Sequence, residues 1–332
     1  MTNKELSRAG EALRSAPQDS PEYADALSLV NAWRSLHKKP LNTFQVSLKK
    51  FAKEIDIEFL FAQRLKKMKS IKEKLIRFPK TQLHRMQDIG GCRVILSDTE
   101  KVYQLKDVFL KRKVKHILER ETDYIKSPKP SGYRGIHLVF KYSSSDETIN
   151  GMRIEIQLRS RLQHIWATAV ETASLISETN LKASDGKTDW LRFFALVSSY
   201  FALTENREHI PETPNDKAKI TEELKALEKK NSFLAKFETL NAFGRYSESE
   251  ELFGSDNYYL LYINKKERLF RATGYKQYKK AYNEYVSWEK KENGIDNVVL
   301  VSTSSFDGLQ RAYPNYFADM SEFISALKNI LS

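Results

Sequence analysis

Cysteine is nearly absent from this 332-residue chain: Cys92 is its one thiol. No intrachain disulfide can form, and no cysteine-based zinc site can be assembled. Cys92 falls in the apolar run CRVIL, where a small buried side chain is the expected role. Long apolar runs are missing as well. No segment nears the roughly 18 residues that a membrane-spanning helix needs. The opening MTNKELSRAGEALRS also lacks the apolar stretch of an export signal. The expectation is a soluble, cytoplasmic protein with no membrane partner. Acidic residues are outnumbered, 43 against 55 Lys and Arg, for a net charge of +12. That balance favours a polyanionic partner: nucleic acid, nucleotide phosphates or an anionic surface.

What is present is ordinary core material, 41% hydrophobic, in a length that suggests about two domains. Residues 1 to about 80 read as helical. ADALSLVNAWRSLHKKP has apolar residues at helical spacing and a stop at Pro40, and a second helix is predicted over roughly Asn42 to Arg64. CRVILSD reads as a strand and KVYQLKDVFLKRK as a helix. IHLVFKY and GMRIEIQLR read as strands of a hairpin, and SRLQHIWATAVETASLI returns to helical periodicity. The polar TENREHIPETPNDK, 204–217, looks like a boundary. A charged helix follows, with Ile220, Leu224, Leu227, Leu234 and Phe237 as its apolar stripe. Beyond it comes a second α/β pattern. YYLLYI and ERLFRAT form a hairpin, YKQYKKAYNEYVSWEKK a helix, NVVLVST a strand and MSEFISALKNIL a last helix.

Four constellations carry chemistry. In RLKKMKSIKEKLIR, Arg64, Lys66, Ser70 and Lys74 are spaced to bring several donors near one helical face, as a triphosphate clamp requires. A solvated basic face would show the same pattern. In RMQDIGGCRVIL, Asp88 leads into a strand. It is a hard oxygen ligand of the kind Mg²⁺ takes together with substrate phosphates. Arg93 follows, suited to stacking on a base or pairing with phosphate, and equally to plain surface. In GMRIEIQLRS, alternation puts Ile154, Ile156 and Leu158 on one face and Arg153, Glu155, Gln157 and Arg159 on the other. Glu155 is open to three roles: ion pair, metal ligand or general base. In PKPSGYRGIHLVF, Tyr133 offers a stacking face, Lys129 and Arg134 bring charge, and His137 offers a donor to a phosphate or hydroxyl.

The order of these four stretches, from Arg64 to Arg159, resembles the synthetase domain of the RelA/SpoT alarmone family, over roughly residues 40–180. The resemblance implies an enzyme that transfers pyrophosphate from ATP to a ribose hydroxyl with Mg²⁺. Arg64, Lys66, Ser70, Lys74 and Arg93 would hold ATP. Asp88 and Glu155 would be the catalytic carboxylates and metal ligands. Tyr133 would stack the acceptor base, with Lys129, Arg134, His137, Gln157 and Arg159 around it. The fold class expected is α/β (α+β): a nucleotidyltransferase-like small mixed sheet flanked by helices, plus a small C-terminal β-β-α-β-α unit.

Finer resemblance concerns the acceptor and the tail. The loop reads SGYRGIH, and small residues at Ser131 and Gly135 are expected to widen the acceptor side. IQLRSRLQHIWATAVET is more similar to the toxic small alarmone synthetases, many of which modify the 3′-terminal adenosine of tRNA. The charge suits tRNA. Lys38, Lys39, Lys111, Arg112, Lys113 and Lys115 are candidate contacts, each of them equally a plain surface residue. No DNA partner is expected. Tyr313-Pro314-Asn315-Tyr316, in a region without cysteine, resembles the fused toxin-antitoxin CapRel family, with a pseudo-zinc-finger antitoxin domain. That resemblance implies residues 1–205 as synthetase, 206–250 as connection and 251–332 as antitoxin and phage sensor. Tyr313 and Tyr316 would cap the ATP site until a phage protein, a capsid protein in the type case, binds. A (p)ppGpp synthetase with a regulatory tail, and a catalytically inactive binding protein, are the alternatives.

Overall fold

The computed structural model describes residues 1–112, 115–180, 186–244, 258–264, 269–291, 296–302, 311 and 319–332. Three helices open the chain: α1 (Asn3–Ser15), α2 (Pro21–Leu36) and α3 (Lys38–Ile55). Pro40 does not stop a helix. It lies in the first turn of α3, where proline's missing N–H is tolerated. The helix predicted to run to Arg64 ends at Ile55, and β1 (Leu60–Leu65) follows. The strand was hidden because LFAQRL is buried at nearly every position and so carries no alternation.

The chain continues through α4 (Met68–Arg77), β2 (Gly90–Leu96), α5 (Thr99–Lys111), β3 (Ile117–Asp123), β4 (Ile136–Lys141) and β5 (Arg153–Ser160). Next come the helices α6 (Arg161–Asn180), α7 (Gly186–Thr204), α8 (Lys217–Asn231) and α9 (Phe233–Gly244). The last elements are β6 (Tyr258–Asn264), β7 (Leu269–Tyr275), α10 (Tyr278–Lys291), β8 (Asp296–Ser302) and α11 (Ser321–Leu331). The predicted stripe from Ile220 to Phe237 is broken between α8 and α9 by Ser232, at φ 53°. Strand β3 went unpredicted because ILERETD is an exposed, mostly charged edge.

All eight strands share one mixed sheet, in the order β3-β4-β5-β2-β1-β8-β6-β7. β2 and β5 are parallel, while β4–β5, β2–β1 and β1–β8 are antiparallel. Among the described residues the C-terminal elements run β-β-α-β-α. Packing crosses both expected boundaries. β8 pairs with β1, setting Arg64 opposite Val301, and Phe323 and Leu327 of α11 share a core with Trp166, Phe193, Phe194, Ile220 and Phe237. A second core lies under α3 and α5, where Phe44, Phe109 and Phe140 meet Ile154, Ile156 and Leu158. The face bearing Glu155 and Gln157 is therefore the opposite one. Among the described residues no helix is long and apolar enough to cross a membrane.

Candidate active site

Register assembles the site. Gly91 lies opposite Glu155 on one side and Arg64 on the other, while Arg93 lies opposite Gln157 and Ala62. Asp88 enters β2 three residues before Gly91. Its carboxylate takes Lys66 Nζ at 2.7 Å and Lys74 Nζ at 3.0 Å. Lys66 lies just past β1, and Ser70 and Lys74 sit one turn apart on α4. The basic cluster is thus a strand, a junction and a helix, where the spacing predicts donors on a helix or at its start. Burial pushes the Asp88 carboxyl up, but Lys66 and Lys74 outweigh it and hold the group below the usual carboxylate range.

Glu155 belongs to a closed ring of five side chains. His137 Nδ1 lies 2.8 Å from Glu155 Oε1, and Gln157 Nε2 donates to Oε2 at 2.9 Å. Arg159 Nη2 donates to Gln157 Oε1 at 3.3 Å and to the Tyr133 hydroxyl at 2.8 Å. Tyr133 Oη lies 2.6 Å from His137 Nε2, closing the ring. The carboxylate can only accept, so His137 donates through Nδ1; a neutral ring then accepts from Tyr133 at Nε2. Burial raises the Glu155 carboxyl, His137 and Gln157 lower it by more, and Asp88 pushes back upward. Asp88 and Glu155 are therefore close enough to feel each other's charge.

The loop between β3 and β4 is wired from beneath. Asp123 Oδ1 accepts from the backbone N–H groups of Ile125 and Lys126, a turn that Asp favours. Its Oδ2 accepts from Tyr103. Gly132, at φ 96°, packs where a Cβ would come within 2.8 Å of the Trp166 ring. Arg134 departs from expectation. It is 4% exposed and donates to Ser198 Oγ, Ile125 O and Glu208 O, so it braces the loop from inside and does not face an acceptor. Gly135 adopts φ 145°, and a Cβ there would press on Arg159 at 3.2 Å and lie 3.7 Å from the Tyr133 hydroxyl. Lys129 Nζ stands over Tyr124 at 4.6 Å and Tyr133 at 5.1 Å, and Arg159 is 5.1 Å from the Tyr133 ring. Tyr124, to which the sequence reading gave no role, makes edge contacts with Tyr133 and His137.

The other candidates scatter. Lys38, partly buried, lies over the Tyr278 ring at 4.1 Å, at the protein's own contact with α10. Lys39 is exposed and 3.6 Å from Asp146. Lys111 and Arg112 end α5, on the layer covering the sheet face opposite Glu155; Arg112 stacks on Phe51 and pairs with Glu54. Lys115 is exposed. Lys113, Tyr313 and Tyr316 lie outside the described residues.

Two neighbouring ionised carboxylates are hard-oxygen donors of the type Mg²⁺ accepts. Among the described residues no group of three or more His, Cys, Asp or Glu could hold a metal. The set therefore fits an ion that takes its remaining ligands from substrate phosphates and water, and not one caged by protein.

Residues 63–178 match the region found in RelA / SpoT proteins, which runs from Gln63 on β1 into α6 and spans the whole cluster from Arg64 to Arg159. The chain is 35% identical over 117 residues to the GTP pyrophosphokinase YjbM of Bacillus subtilis (strain 168), covering 34% of this chain and 54% of that protein. It is 31% identical over 111 residues to YwaC, a GTP pyrophosphokinase of the same organism, covering 32% and 52%. The chain thus spans about half the length of the curated relatives it matches. Among solved structures it is similar to the small alarmone synthetase 1 from Bacillus subtilis bound to its product pppGpp. There the identity is 23% and the TM-score 0.45, over 52% of this chain and 90% of that one.

Proposed function

We propose that this chain is an ATP-dependent pyrophosphokinase whose acceptor is a ribose hydroxyl, with the 3′-terminal adenosine of tRNA as the favoured substrate. The observation that carries the reading is the meeting of two separately built halves. A cationic group, Lys66 and Lys74, lies on Asp88, and beside it the Glu155 ring leads to the Tyr133 platform. Transfer of this kind demands position and charge neutralisation above all. Lys66, Ser70 and Lys74 would take the triphosphate, with Arg64 and Arg93 on the adenosine. Asp88 and Glu155 would hold Mg²⁺, which supplies neutralisation of the phosphates when bound. Tyr133 and Lys129 would receive the acceptor base, and Arg159 and His137 would fix the Tyr133 hydroxyl. The acceptor hydroxyl oxygen bonds to the β-phosphorus, its proton leaves to solvent, and AMP departs.

The net charge of +12 and the fused C-terminal elements favour tRNA and a self-inhibited toxin. The same resemblance gives Tyr313 and Tyr316 the part of a cap that a phage capsid protein releases. What supports this is Arg311: its carbonyl is 3.1 Å from His164 Nε2, and Arg93 and Arg159 help to depress the pKa of that buried histidine. The chain two residues before Tyr313 therefore stands beside the site. The names of the curated relatives favour a second reading, with a guanosine nucleotide as acceptor. The test supplies γ-labelled ATP, Mg²⁺, deacylated tRNA and GDP to the full chain and to Tyr313→Ala. Label on tRNA, stronger with the variant, supports the first reading. Label on guanosine nucleotides supports the second. No transfer by either protein rejects a pyrophosphokinase.

A further inference from the structure

Helix α4 begins badly by its own sequence. Its N-cap is Lys67, whose side chain makes no capping hydrogen bond, and its first turn contains no acidic residue. Lys66, Lys67 and Lys69 crowd the end where the helix dipole already places positive charge. A phosphate-binding helix needs that charge, yet without anionic help its first N–H groups lack an intrahelical partner.

The help comes from α10. Glu289 Oε1 accepts the Met68 backbone N–H at 2.9 Å, across 221 residues of sequence. The Glu289 carboxylate is itself held in place. Arg34 of α2 donates from Nη1 to Glu289 Oε2 at 2.9 Å, from Nη2 to the Tyr285 hydroxyl at 2.7 Å, and from Nη1 to Asn31 Oδ1 at 2.6 Å. Tyr285 donates in turn to Glu289 Oε1. The Arg34 and Glu289 side chains are 0% and 7% exposed. Tyr282 adds a bond to the Asn31 carbonyl at 2.6 Å. Two charges are thus buried at the contact between the N-terminal helices and α10, and the carboxylate's second oxygen is aimed at the start of α4.

We infer that Glu289 is a positioning residue for the helix that carries Ser70 and Lys74, so that the C-terminal elements build the ATP half of the site as well as any cap on it. This rests on the reading of α4 as the triphosphate helix. Removal of α10 would leave Arg34 without its carboxylate, and α4 without its cap. A trigger that acts on the C-terminal elements must therefore leave α10 docked if the enzyme is to work.

Glu289→Ala alone would strand the Arg34 charge and invite unfolding, so the test uses paired changes. Replacing a buried ion pair by apolar groups is often neutral for stability. R34M/E289Q keeps an oxygen for the Met68 N–H, and R34M/E289M removes it. Hydrogen exchange of peptides covering residues 66–75 is compared in full chains of equal thermal midpoint. Exchange about tenfold faster in the Met variant than in the Gln variant is the expected result; equal rates overturn the inference. Binding of a non-hydrolysable ATP analogue with Mg²⁺ is then measured in the Tyr313→Ala background, with a dissociation constant about tenfold weaker for Met than for Gln expected. Unequal exchange with no nucleotide bound by any protein, the Tyr313→Ala parent included, keeps the cap and rejects α4 as the ATP helix.

Discussion

Among the described residues the hydrogen bonds that hold the loop from Asp123 to His137 reach no further along the chain than the Glu208 carbonyl, whereas the first N–H of α4 donates to Glu289 on α10. The loop is braced by a buried arginine whose partners are mainly backbone carbonyls, and its face toward Glu155 is closed into a ring of hydrogen bonds. The basic cluster has strand register on one side, lysines converging on Asp88 in the middle, and a cap borrowed from another unit. The polar bracing of the candidate acceptor loop thus comes from outside the C-terminal elements, although Gly132 packs on Trp166, which shares a core with Phe323 and Leu327 of α11, while the start of α4 is capped directly by α10.

The largest effect is expected where both halves meet. Asp88→Asn and Glu155→Gln should each lower label transfer by about 10²–10³-fold, since each would remove an anionic ligand of the Mg²⁺ that neutralises the phosphates. Neither should unfold the protein, because the amide that replaces each carboxylate keeps its size. Transfer by Glu155→Gln within a few-fold of the parent would make the ring structural and move catalysis elsewhere.

Arg134→Met breaks the comparison from the loop side. It orphans the Ile125 and Glu208 carbonyls, at about 1–3 kcal/mol for each one left without a partner. Urea unfolding should show the loss. In the surviving folded protein KM for the acceptor should rise while KM for ATP stays constant. An equal rise in both would mean that the halves are not separately anchored.

Glu205 sharpens the comparison through pH. Its Oε2 accepts from Ser160 Oγ at 3.0 Å beside the braced loop, and burial, with Asp98 adding to it, pushes its carboxyl up to about 7. A raised carboxyl pKa means the folded state holds the proton more tightly than the unfolded one. The associated stability is full below about pH 4.5 and is lost as pH rises toward 7, by at most about 3 kcal/mol. Unfolding measured across that window should show the decline, and Glu205→Gln should flatten it.

How much of this could be read beforehand follows from range. Strand β5 was legible because Ile154, Ile156 and Leu158 alternate with Glu155 and Gln157, and all three apolar residues are 0% exposed. The candidate site was legible as a set of residues in order, because the region spans one contiguous stretch, 63–178. The role of Arg134 was not: an arginine after Gly-Tyr reads as surface until Ser198 and Glu208 are seen folded back over it. Nor was Glu289, one of several charges in SWEKKEN, since nothing local marks it as a cap for a helix 221 residues away. The strand β1 was lost because burial on both faces erases period-two patterning. Asp123 was legible as part of the Asp123 to Ile125 stretch, and its side chain makes the turn that Asp favours.

The smallest expected effect separates two adjacent lysines. Lys38 Nζ is 4.1 Å from the Tyr278 ring centre and 5.8 Å from that of Tyr258, so Lys38→Ala should weaken the docking of α10 by about 0.5–1 kcal/mol. Lys39, 66% exposed and 3.6 Å from Asp146, should cost under about 0.5 kcal/mol when changed to Ala. If tRNA is the acceptor and Lys39 meets a phosphate, the slope of log affinity against log salt should fall by about one for Lys39→Ala and stay fixed for Lys38→Ala. A changed slope for Lys38 would mean that its ring contacts open when tRNA binds, and with them the docking on which the ATP half depends.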